Sequence, residues 1–87
     1  MTKAYIDVRE PDEYALGHVK GALNVPLSKL LQKTYDLSTI DKESALVVYC
    51  RSGSRATVVM RMLQQQGYTD VTNGINQATI ELAHQAR

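Results

Sequence analysis

Leu46-Val47-Val48-Tyr49, then Cys50-Arg51-Ser52-Gly53-Ser54-Arg55, then a run from Ala56 to Gln66 closed by Gly67: this stretch decides how the chain is read. Its first four residues are apolar, β-branched or aromatic, a pattern suited to a strand buried on both faces of a parallel sheet. After Arg55, apolar side chains at Ala56, Val59, Met60 and Leu63 follow the i, i+3, i+4, i+7 stripe of a helix packed by one face. Gly67 then supplies a left-handed stop. Strand and helix are joined by a short loop of small and basic residues that begins on the chain's single cysteine.

A loop that closes onto a helix N-terminus leaves several backbone N–H groups unpaired and directed into one concavity, where an anion is held. Cys50 stands at the edge of that concavity. The helix end, the loop amides and nearby guanidinium groups all favour its thiolate, the reactive form. No Asp or Glu lies between Ser44 and Thr69, whereas Arg51, Arg55 and Arg61 do, so the local sequence opposes nothing to the positive potential. Gly53 allows close approach of backbone to a ligand. Cys50 has two readings, a buried structural thiol or a reactive one. A position at the carboxyl end of a parallel strand, where such sheets place their ligands, favours the second.

Two further blocks precede this loop, Ile6-Asp7-Val8-Arg9-Glu10-Pro11-Asp12-Glu13-Tyr14 and Gly17-His18-Val19-Lys20-Gly21-Ala22-Leu23-Asn24-Val25-Pro26. With the loop, they resemble the single-domain rhodaneses, nearest in layout to short phage-shock-type members, over nearly the whole chain. Several ordered blocks are far more specific than one short motif. The resemblance implies an α/β, rhodanese-like fold, a small parallel sheet with helices on both faces, formed by residues 1–87 as one domain. It implies a thiosulfate sulfurtransferase that moves sulfane sulfur from thiosulfate or a similar donor to cyanide or a thiol through a persulfide on Cys50. Arg51, Ser52, Gly53, Ser54 and Arg55 would then form the substrate cradle, with Arg9 near the same side of the sheet. Arg51 is a candidate for the sulfonate end of a donor, and Arg55 either shares that role or turns inward to brace the loop. No cofactor or metal is implied. The partners are a small-molecule sulfur donor, a thiol or cyanide acceptor and, as an option, an acceptor protein.

The family usually carries two glycines followed by a tryptophan after the last strand. Here Asn73 replaces one glycine and there is no tryptophan. Asn is expected to keep the turn by taking left-handed backbone. The departure bears on the packing of the last helix and on one wall of the pocket.

Two other readings use the same loop. Cysteine phosphatases and arsenate reductases typically separate Cys from Arg by five residues, whereas here only Arg51, Ser52, Gly53 and Ser54 intervene, a tighter ring that suits a single sulfur. A non-catalytic module would keep the fold for binding, or use oxidation of Cys50 as a signal.

Eighty-seven residues are enough for one domain and no second core. A net charge of +1 argues against nucleic acid or an anionic membrane as the main partner, and monomer is the default state. No apolar run reaches transmembrane length. A single cysteine makes no internal disulfide. The start has no signal-peptide core, so the chain as it stands reads as cytoplasmic, but the short segment before Asp7 looks more like the mature form of a periplasmic, phage-shock-type rhodanese whose signal peptide has been removed.

The pattern elsewhere predicts strands near 4–8, 23–25 and 68–72, and helices over 11–16, from a Ser28 cap to Thr34, and at the C-terminus with a stripe of Ile75, Thr79, Leu82, Ala83 and Ala86. Asp7 and Arg9 are expected to pair with each other or with backbone amides at a strand end, His18 to pack in a turn rather than act as a base, and His84 to lie solvated on the last helix. Strands alternating with helices imply right-handed crossovers.

Overall fold

Burial of Leu46, Val48, Tyr49 and Cys50, all at 2% exposure or less, marks their strand as the centre of the structure, a computed structural model that describes residues 3–35 and 37–85. In chain order the elements are β1 (Lys3–Asp7), α1 (Pro11–Ala15), β2 (Leu23–Asn24), α2 (Leu27–Leu31), β3 (Ala45–Cys50), α3 (Ser54–Gln65), β4 (Asp70–Asn76) and α4 (Gln77–Gln85). The strands form one parallel sheet in the order β2-β1-β3-β4. Being parallel, they all end at the same edge, which brings Asp7, Asn24, Cys50 and Asn76 together there.

Alternation along β3 divides its side chains between two cores. Leu46, Val48 and Cys50 pack with Ala56, Val59 and Leu63 of α3, Leu30 of α2, and Ile6, Val8, Val25 and Tyr68. Tyr49 faces the other way, with Val19, Ala22 and Ile80 of α4. Its hydroxyl accepts the Val19 N–H at 2.9 Å, so the largest fully buried side chain is also satisfied. Burial pushes the Tyr49 phenol up to about 12.

Several boundaries differ from the sequence pattern. Helix α2 starts after Pro26, with the Ser28 hydroxyl donating to the Glu10 carboxylate rather than capping, and it ends at Leu31, shortly before Lys33 takes left-handed backbone at φ 58°. Tyr68 does not open the last strand; it is buried, and its hydroxyl donates to the carbonyls of Leu37 and Ile40, each at 3.0 Å, pinning the connection between α2 and β3. Strand β4 runs instead from Asp70 to Asn76 and passes directly into α4.

That shift moves the apolar stripe of the last helix. Ile75 lies in the strand, Leu82 is 64% exposed, and Ile80 is the side chain that enters the core. Ala86 lies outside the described residues. The left-handed position is likewise not Asn73 but Ile75, at φ 73°, just past the register shift between Val48 and Tyr49 where β4 bulges. Gly74 is required by space: a Cβ there would lie 2.7 Å from Val47 Cγ1 and 2.8 Å from Ile80 Cδ1.

Gly74→Ala is therefore expected to destabilise the fold by about 1–3 kcal/mol, the usual cost of overpacking a filled core. Urea unfolding would show this as a lower midpoint with an unchanged slope.

Candidate functional site

Cys50 is the last residue of β3, and the chain turns at once into α3 through residues 51–53. Gly53 occupies the N-cap position at φ 91°, a conformation that suits glycine, and no side chain caps the helix. The free amides at this end serve the cysteine instead. Gly53 N–H donates to Sγ at 3.1 Å. Burial pushes the Cys50 thiol up, but the backbone N–H groups of Ala56, Ser52, Gly53 and Arg55 together outweigh it, and the thiol lies below its ordinary value. The cradle thus extends one residue beyond the predicted loop, to Ala56. Ser52 and Ser54 are exposed and their hydroxyls lie 3.2 Å apart.

The loop is braced from β4. Asn73 Nδ2 donates to the Gly53 carbonyl at 3.0 Å and to Thr57 Oγ1 at 2.9 Å, while its Oδ1 accepts the Ile75 N–H at 2.8 Å. Thr57 adds two bonds to the same Gly53 carbonyl, from its N–H and its hydroxyl. Sequence reasoning treated Asn73 only as a tolerated turn residue. The signal that would have found it is a side-chain amide in a strand, beside a glycine, on the sheet edge where the loop ends.

The three predicted arginines separate into different roles. Arg55 pairs with both carboxylate oxygens of Glu13, at 2.8 and 3.1 Å, and so braces the loop against α1. The local sequence opposes nothing to the positive potential, but Glu13 arrives from a distant part of the sequence to do so. Its carboxyl is lowered to about 2, chiefly by Arg55 and then by the Glu10 N–H. Arg9 binds the fully buried Asp7, at 2.6 Å for the shortest contact, donates to the Gly17 carbonyl, and stands 5.8 Å from the Tyr49 ring centre. The pairing expected of Asp7 and Arg9 is present. Arg51 is exposed, and its guanidinium has no ion pair or hydrogen bond with another described residue.

Cys50 opens into a pocket of about 290 Å³. It is lined by Arg9 and Arg51, by Asn76 at the end of β4, and by Gln77, Ala78 and Glu81 of α4. Asn76 Oδ1 accepts the Thr79 N–H at 2.8 Å and so caps that helix. The residues from Asn76 to Glu81 carry no motif and were not anticipated. Two larger recesses lie elsewhere, one beside Tyr5 and His84 and one beside Tyr68, and neither contains the cysteine.

His18 is not in the pocket: Nδ1 lies 2.8 Å from the Tyr14 carbonyl and its ring stacks on Tyr14 at 3.6 Å, as a turn-packing residue would. His84 is exposed as expected but has a partner, the Tyr5 hydroxyl at 2.8 Å from Nε2. Among the described residues no group of His, Cys, Asp and Glu could hold a metal ion, and no helix is long and apolar enough to cross a membrane.

Residues 2–76 match the rhodanese-like domain. The chain belongs to the rhodanese-like family. It is 36% identical to the thiosulfate sulfurtransferase PspE of Escherichia coli over 69 residues, 79% of this chain and 65% of that protein. With a sulfurtransferase of Allochromatium vinosum it shares 38% identity over 68 residues, 78% of this chain and 61% of the other. A solved rhodanese with anions from E. coli superposes with a TM-score of 0.77 at 32% identity, covering 90% of this chain and 91% of that one. The chain spans about half to two-thirds of the length of the curated relatives it matches. The rhodanese-like assignment agrees with the parallel sheet and with the cysteine loop at its carboxyl edge.

Two pH effects are expected. Thiolate ultraviolet absorbance should titrate with a midpoint below that of free cysteine, and lengthening or disturbing the loop should return it upward. Because Glu13 is depressed in the fold, its stabilising pair with Arg55 is fully present above the ordinary carboxylate range and is lost as pH falls through about 2. The stability gap between the native chain and Glu13→Gln, followed by urea unfolding across pH, should therefore be widest near neutrality and close toward pH 2.

Proposed function

We propose that this chain, acting as one domain over residues 1–87, is a sulfurtransferase that carries sulfane sulfur on Cys50 between small molecules. The observation that carries the reading is a cysteine whose thiol is lowered by surrounding amides and which opens into a pocket with an arginine, Arg51, that is unpaired among the described residues. The names of its relatives, PspE among them, suggest thiosulfate as donor.

The Cys50 thiolate attacks the outer sulfur of thiosulfate, a sulfur–sulfur bond forms to Cys50, and the bond within thiosulfate breaks. Sulfite departs with the electron pair, leaving a persulfide anion on Cys50. Cyanide or a thiolate then attacks the terminal sulfur, takes it away and regenerates the Cys50 thiolate. The N–H groups of Ser52, Gly53, Arg55 and Ala56 are already oriented toward negative charge on sulfur, so little reorganisation accompanies transfer. Arg51 attracts the sulfonate end, Ser52 and Ser54 flank it, and Arg9 borders the pocket. Arg55 holds Gly53 and the loop in place through Glu13. Transfer of a phosphoryl group is disfavoured by the same pairing, since it commits the guanidinium that would face the equatorial oxygens.

Incubation with thiosulfate followed by intact-mass measurement should add the mass of one sulfur to the native chain and none to Cys50→Ala. A gain that persists in Cys50→Ala, or aryl phosphate turnover without sulfur uptake, would reject the proposal.

A further inference from the structure

The formal charges around the Cys50 pocket are uneven in their availability. Arg9 is held by Asp7 and by the Gly17 carbonyl, so most of its charge is already answered. Arg51 is the unpaired cation among the described residues of the pocket. The same pocket is lined from α4 by Glu81, the only carboxylate among the described residues of the lining. The carboxylate is oriented by Gln77, whose Nε2 donates to Oε2 at 3.0 Å, but a neutral amide leaves the charge in place. A donor entering this pocket therefore meets one available positive and one available negative group, in addition to the Cys50 thiolate.

We propose that Glu81 makes the pocket selective for a zwitterionic sulfur donor, an α-amino acid hydropersulfide, over a dianion such as thiosulfate. The inference rests on Cys50 acting as a sulfur carrier. The donor's ammonium group is placed by Glu81 and its carboxylate by Arg51, which leaves the outer sulfur at the Cys50 thiolate. A volume of about 290 Å³ is near the lower end for small-molecule pockets and suits a ligand of this size. The step balances without an oxidant: the thiolate attacks the terminal sulfur of R–S–SH, the donor's sulfur–sulfur bond breaks, the departing R–S⁻ takes the proton from the new Cys50 persulfide, and RSH and a Cys50 persulfide anion result. Thiosulfate lacks a positive group for Glu81 and brings two negative charges past it. It remains a substrate, at a lower rate.

The test is the second-order rate of sulfur loading on Cys50 at low ionic strength, read by intact mass, with thiosulfate, cysteine hydropersulfide and N-acetylcysteine hydropersulfide. The native chain should prefer the cysteine form to its N-acetyl analogue, which lacks the ammonium group. Glu81→Gln should accelerate thiosulfate about 5–10-fold, slow the cysteine form, and abolish the preference between the two hydropersulfides, with the thiosulfate effect shrinking in high salt. Glu43→Gln, the same charge change at an exposed position outside the pocket, should leave all three rates unchanged. Equal rates for the two hydropersulfides in the native chain, or a Glu81→Gln effect of the same direction on thiosulfate and cysteine hydropersulfide, would overturn the assignment while leaving the carrier role intact. Absence of loading from every donor would instead reject the carrier role, and this inference with it.

Discussion

A cysteine 2% exposed whose thiol is nonetheless held below its ordinary value is the constraint to which the structure answers. Burial alone acts in the opposite direction, because a buried thiolate loses its hydration. Four backbone N–H groups supply what water no longer does, and they converge only if the loop stays tight. The tightness is secured at one carbonyl, that of Gly53, which receives Thr57 from within α3 and Asn73 from β4. Because Asn73 sits two residues after Val71 in a strand paired to β3, the brace and the nucleophile's own strand belong to one hydrogen-bonded ladder. Loop geometry is thereby transmitted from the centre of the sheet.

Ion pairs hold the carboxyl edge in a similar manner. Asp7 is fully buried, and a buried carboxylate without partners would be costly; Arg9 answers it through its backbone N–H and its guanidinium together. Asn24 ties the same strand end by donating to the carbonyls of Asp7 and Arg9. The Glu13–Arg55 pair joins α1 to the first turn of α3, and Glu13 also closes the capping box of its own helix. Two of the three arginines near the cysteine are thus spent on architecture. The field that remains for a ligand comes from amides and from Arg51.

The sheet, the strand–loop–helix unit and the position of Cys50 were legible in the sequence because each is written in local pattern: an apolar run, a small-residue loop, a helical stripe and a stop. Which of its two candidate roles Arg55 takes, and that Asn73 braces the loop at all, were not legible, because each depends on a partner far along the chain, Glu13 and Gly53 respectively. The apolar pattern of the last helix misled for a related reason. Ile75 looked like the first residue of a stripe, but the strand continues through it, so the core position passes to Ile80. Pattern alone places an element only to within a few residues when strand and helix follow one another without a loop.

The segment from Asn73 to Asn76 joins these observations. A β-branched residue at φ 73° is unfavourable, and Ile75 is 45% exposed, so core burial does not account for its conformation. Two neighbours hold it there. The Asn73 side chain accepts the Ile75 N–H, and Gly74, close against Val47 and Ile80, cannot move without opening the core. The bend that results turns β4 directly into α4, and places Asn76, Gln77, Ala78 and Glu81 against Cys50. Strain at Ile75 is thus the local cost of bringing a helix face, with its carboxylate, to the edge of the sulfur's pocket. Asn73, which stands where the resemblance leads one to expect a glycine, thus belongs to the segment that builds that wall.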